Sequence, residues 1–187
     1  MGWIALLIVV ALVMMIIGLY NALVRLRATC DGAWADIDVQ LKRRYDLIPN
    51  LVETVKGYAG HERQALESVI AARAKAMSVK GPGEKAEAEG ALSQSLKSLF
   101  ALAEAYPQLR AVESFTQLQA SLNGIEEAVQ NARRYYNAVV RDYNAKIAEI
   151  PTNVIAGMFQ FTPRQFFEVK DSVQREPPRV TFESTGR

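Results

Sequence analysis

One cysteine and one histidine are all that the 187 residues contain of the side chains most used for metal ligation and nucleophilic chemistry. A disulfide framework within the chain needs a second cysteine, and a Cys/His metal cluster needs more ligands than Cys30 and His61, so both are excluded. There is no glycine-rich phosphate loop following a strand, no HExxH and no nucleophile elbow. His61 has no second histidine to act with and the lone thiol is distant in sequence, so it reads as a solvated surface residue rather than a general base. Asp36 and Asp38 lack the third partner that paired-carboxylate chemistry requires. A formal charge of +2, with no long basic block, leaves nothing to hold a nucleic acid. These absences predict a protein without catalytic activity, metal or cofactor.

Charge is also missing from residues 3–24, a run of apolar and small side chains that as a helix is about 33 Å long and spans a bilayer. A cleaved signal peptide would need a basic n-region, a shorter core and a small-residue cleavage site, none of which stands before Arg25. Arg27, three residues before Cys30, occupies a place that a lipid-attachment box keeps apolar, and Cys30 reads as a small residue at a helix start rather than a palmitoylation site. No basic residue precedes the span, while Arg25, Arg27, Lys42, Arg43 and Arg44 follow it, so the expected orientation puts residues 1–2 outside and the domain in the cytoplasm. Trp3 and Tyr20 would mark the two interfaces.

Beyond the span, residues 25–168 are expected to form one all-α bundle domain, with residues 169–187 a flexible tail. Apolar residues recur at alternating three- and four-residue steps from Trp34 through Leu41, Ile48, Val55, Val69 and Val79, a coiled-coil-like seam that predicts one long helix kinked or broken near Pro49, with Gly57 the other place for a break. Lys80 to Gly83 predict a turn, and a second helix follows over 84–106. Residues 107–113 read as extended or irregular, Ser114 and Gln117 as a capping box, and a third helix runs from Phe115 to Ile150, stopped by Pro151. The lengths predict an elongated up-down-up bundle of long antiparallel helices.

Within this frame the seam holds two polar residues, Arg44 and Glu62, for which Glu126 and Arg141 are the expected partners, fixing register rather than performing chemistry. Asn137 and Asn144 are seven apart, as are Arg134 and Arg141, forming polar stripes beside a tyrosine seam. With Arg43, Asp46 and Asn50 they read as an interhelical hydrogen-bond ladder, the alternative being an anionic-ligand groove. The segment 151–168 carries Val154, Ile155, Met158, Phe159, Phe161, Phe166 and Phe167, too apolar for a linker. It is expected to fold back on the bundle, the alternative being docking on a neighbouring subunit or partner.

Several stretches carry a resemblance to a known family. Tyr20-Asn-Ala-Leu-Val24, the run from Ala33 to Val52 that includes Asp46-Leu-Ile-Pro-Asn50, Ala132-Arg-Arg-Tyr-Tyr-Asn137, Val140-Arg-Asp-Tyr-Asn-Ala-Lys146 and Pro151-Thr-Asn-Val-Ile-Ala-Gly-Met-Phe159 resemble the LemA family of bacterial membrane-anchored proteins. The likeness frames residues 20–168 and is loose over 80–113. It implies a single span and a helical bundle in the bacterial inner membrane, brings no catalytic residues, and suggests association with membrane proteins or membrane-bound proteases. Pro49 and its motif neighbours are where a contact surface is expected. The expected function is a membrane-anchored scaffold or adaptor of the bacterial envelope that forms homo-oligomers and binds membrane-protein partners. The alternatives are a lipid- or curvature-responsive protein of the bilayer surface, drawn in by its juxtamembrane basic residues, and, more distantly, a regulator of a membrane protease.

Overall fold

A computed structural model describes residues 2–168, and every regular element among them is helical. The expected tail over 169–187 lies outside the described residues. Helix α1 (Gly2–Tyr58) begins in the apolar run and continues without interruption through the first leg of the bundle. It is long and apolar enough to cross a membrane, and its first turns are exposed among the described residues.

Pro49 neither ends nor divides α1, so of the expected kink or break the break does not occur. A proline cannot donate to the carbonyl four residues earlier, which would leave Tyr45 O an orphan acceptor. Helix α2 (Arg63–Ser78) supplies the replacement: Arg73 Nε donates to Tyr45 O at 2.9 Å. The proline thus creates the acceptor by which the second helix is held.

The interruption falls at residues 59–62 instead, so the run expected as one helix is two. Ala59 N–H still bonds Val55 O at 2.8 Å, but Glu62 N–H closes a turn on Ala59 O at 3.0 Å. A Cβ on Gly60 would lie 2.9 Å from Lys56 O, so only glycine fits this corner without displacing backbone. The heptad phase survives on both sides of the corner, which is why periodicity alone reads through it.

After the corner α2 returns along α1, carrying Ala76 to the hydroxyl of Tyr45. Gly81, in extended geometry, and Pro82, at the first helical position, start α3 (Pro82–Ala103), which runs outward again until Tyr106 reaches Glu62. A single helical turn, α4 (Pro107–Arg110), stands where extended or irregular chain is expected. Helix α5 (Glu113–Ala148) opens on Val112 without a side-chain cap; the expected capping box does not form, and Gln117 Nε2 instead donates to Glu113 Oε1 at 3.0 Å. It runs back beside α1, as the Trp34–Tyr136 ring contact and the Arg44–Glu126 pair establish. The extra reversal makes the path up-down-up-down, and α5 antiparallel to α1 where a parallel run was expected.

The core is one cluster drawn from all of these helices, with Ile37, Leu41, Ile48 and Leu51 of α1 against Val69, Leu92, Leu99 and Val140. Each such side chain contributes about 1.5–3 kcal/mol by leaving water. At the span end a second, small cluster joins Leu23 of α1 to Ile155 and Ala156 of α6 (Thr152–Met158). From Phe159 the chain turns back and lies along the bundle to Glu168.

Candidate functional site

Two polar constellations interrupt the apolar packing. The first sits midway along α1, where Arg44 is 2% exposed. Its guanidinium lies 3.1 Å from Glu126 of α5 and 3.4 Å from Glu89 of α3, and donates to Ser93 Oγ at 2.6 Å. Tyr45 donates to Glu89, and Lys85 Nζ, 5.4 Å from the centre of the Tyr45 ring, donates to Ala76 O at 2.9 Å. Two cations and two carboxylates balance, and no buried side-chain nitrogen or oxygen among the described residues lacks a partner.

Burial raises the Glu89 carboxyl above the usual carboxylate range, against the opposing pull of Tyr45, Arg44 and Lys85. Burial, reinforced by the bond to Glu89, also pushes the Tyr45 phenol up, so it remains a neutral donor. The cluster joins α1, α3 and α5 at one level and fixes their register. The seam pattern points to Arg44 and Glu126 but not to Glu89 and Lys85, which sit among alanines on a helix whose leucines mark its apolar face. Glu62, the other polar seam residue, accepts from Tyr106 at 3.0 Å rather than meeting Arg141. The antiparallel course of α5 carries Arg141 toward the span end, where it is exposed.

The second constellation is the set of side chains that capture the returning tail. Asn137 uses both ends of its amide on Phe167: Oδ1 accepts from Phe167 N–H at 2.8 Å and Nδ2 donates to its carbonyl at 3.2 Å. Asn144 does the same with Arg164, at 2.8 and 2.9 Å. Beside them Tyr136 and Tyr143 donate to Gln165 O and Thr162 O at 2.9 and 3.1 Å, and Arg133 Nε adds a second donor to Phe167 O. The spacing has a simple cause. Seven residues of helix advance about 10.5 Å, and three residues of extended chain cover about 10 Å, so two asparagines one heptad apart match a strand-like segment three residues apart. Arg164 pairs with Asp31 at 2.7 Å, and the Phe167 ring, 2% exposed, packs on Trp34. Burial raises the phenols of Tyr136 and Tyr143 and the thiol of Cys30, keeping all three neutral and the thiol inert.

This overturns the interhelical ladder: Asn137 and Asn144 hold the tail, not another helix. It also dismantles the anionic-ligand groove. Asp46 pairs with Lys42 at 3.2 Å on the exposed face of α1, and Asn50 is exposed there too. Both lie beyond Arg44 toward the far end, whereas Asn137 and Asn144 lie toward the span, so the register keeps the two sets apart. Arg134 is exposed and, among the described residues, bonds locally to Asn131. Of the tail residues, Ile155 and Phe167 are buried, Phe161 and Phe166 half-buried, and Val154, Met158 and Phe159 exposed.

The sequence profile of the LemA family matches residues 33–182. Among curated relatives, a magnetosome protein, MamQ 2 of Paramagnetospirillum magneticum, is 25% identical over 188 residues, covering 87% of this chain and 69% of the relative. A second, magnetosome protein MamQ of Magnetospirillum gryphiswaldense, is 24% identical over 177 residues, covering 81% and 65%. Protein LemA of Metamycoplasma hominis is 24% identical over 144 residues, covering 75% and 64%.

Proposed function

The chain belongs to the LemA family, and from that premise we propose that it is a membrane-anchored helical scaffold that self-associates and presents its bundle surface to partner membrane proteins, without catalysing a reaction. The observation that carries the proposal is helix α1. One unbroken helix contributes both the apolar run and the longest wall of the bundle core, so the domain is held at a fixed attitude to the bilayer rather than tethered by a linker. The buried ion cluster and the captured tail stiffen that wall from two sides, which suits a surface that must present partners reproducibly. The orientation that accompanies this reading places the domain in the cytoplasm beneath the inner membrane, supported by the basic residues that follow the run.

The test is the mass of the detergent-solubilised full-length chain by light scattering, with the detergent contribution subtracted. A defined oligomer is the expected result. A monomer at all concentrations removes self-association, and crosslinking in membranes that captures no partner protein then removes the scaffold reading as well.

A further inference from the structure

Helix α6 has its exposed face the wrong way round for water. It buries Ile155 and Ala156 on Leu23, yet its outward side and flanks carry Ile150, Val154, Met158 and Phe159, exposed by 85, 59, 69 and 50%. No charged residue occurs between Glu149 and Arg164. A short helix on a soluble domain would turn polar side chains outward at these positions.

Its position explains the composition. Phe159 packs on Tyr20 with ring centroids 4.8 Å apart, and Phe161 packs on the same ring at 5.8 Å. Residues 3–24 have their midpoint near residue 13, which puts Tyr20 about 10 Å and Leu23 about 15 Å from the middle of a hydrocarbon layer roughly 30 Å thick. The contacts of α6 and its C-terminal flank with the anchor therefore fall about 10 to 15 Å from that middle, in the outer part of the acyl layer next to the headgroups. Arg25 and Arg27 follow within the next turn, exposed and level with the headgroups.

We propose that α6 and its flanks, residues 150–161, form a second membrane-contacting element, a wedge that sits in the lipid interface beside the span and covers its exposed apolar face with acyl chains. The inference rests on the membrane-anchored reading above. The bilayer is the occupant because the patch is continuous with the exposed apolar surface of the span, meeting it at the exposed Tyr20, against which Phe159 packs. A single helix displaces similar area in both leaflets, whereas this wedge enlarges the protein's cross-section in only one. The Asn144–Arg164 and Asn137–Phe167 bonds just beyond it pull the chain back into the bundle and limit how deep the wedge goes.

The experiment uses the full-length chain in phosphatidylcholine vesicles whose acyl chains carry bromine at carbons 6 and 7, compared with unbrominated vesicles. Wild type reports the span through Trp3, Trp3→Phe leaves only Trp34, about 17 Å beyond Leu23 along the helix, and Trp3→Phe with Phe159→Trp adds the probe. Expected are quenching of Trp3, sparing of Trp34, and loss of the added emission at position 159 together with a blue shift. Quenching of Trp3 with none at 159 overturns the wedge while leaving the anchor intact; absence of both overturns the anchored reading itself. A second copy seated on the patch would show as no quenching at 159 with disulfide dimers through Val154→Cys in a Cys30→Ala background, and that outcome also refutes the lipid assignment.

Discussion

The account of Pro49 can be tested by a double-mutant cycle with Arg73. If Arg73 Nε replaces the amide that proline lacks, Arg73→Leu orphans the Tyr45 carbonyl in a half-buried site between α1 and α2. Hydrogen bonds to charged groups contribute about 1.5–3 kcal/mol, and the lower end applies here because the pair is only partly buried. Arg73→Leu alone should therefore destabilise the bundle by about 1.5 kcal/mol. Pro49→Ala restores a backbone N–H opposite the same carbonyl, so in that background Arg73→Leu should cost no more than about 0.5 kcal/mol. The difference, a coupling of about 1 kcal/mol, is measurable by urea or thermal unfolding of the bundle in detergent, followed by circular dichroism. Equal costs of Arg73→Leu in both backgrounds would refute the reasoning. So would a Pro49→Ala variant less stable than wild type, because the proline would then be packing for its own sake.

Two further outcomes follow from the polar constellations. Asn137→Ala removes two hydrogen bonds to Phe167, together about 2 kcal/mol, and should speed hydrogen exchange at the Phe167 amide roughly 30-fold while leaving core amides of α1 unchanged; an unchanged Phe167 amide would show that the tail is held by its rings. Because burial raises Glu89 in the folded chain, that chain binds the proton more tightly than the unfolded one does, so wild type should lose stability relative to Glu89→Gln as pH rises from about 4.3 through the folded pKa, and no further above it. A wild type that instead gains on the variant over this window would mean that Arg44, Lys85 and Tyr45 outweigh desolvation.

The pairing of Arg44 with Glu126 shows how a correct contact can follow from a wrong path. A parallel α5 and an antiparallel one pass the same height of α1 at a single level, and Arg44 stands at it. Away from that level the two arrangements diverge, and Glu62 meets Tyr106 instead of Arg141. The error began at Gly60, whose importance is steric and involves an atom of its own helix, Lys56 O. No periodicity records such a constraint. Pro49, the stronger breaker by residue type, is rescued by a side chain that is near only because the chain reverses.

The sequence by itself determined what depends on one helix at a time: the uncharged apolar run, the all-α class, the apolar faces and the family motifs, since each is a matter of composition and a period of 3.6 residues. Tertiary structure decided everything that needs two segments in contact. It chose the corner at residues 59–62, placed Glu89 and Lys85 beside Arg44, and turned Asn137 and Asn144 toward the tail rather than toward another helix. An asparagine amide bonds any backbone at the right distance, so its identity announces a partner without saying which, and only the path of the chain brings residues 164 and 167 within reach.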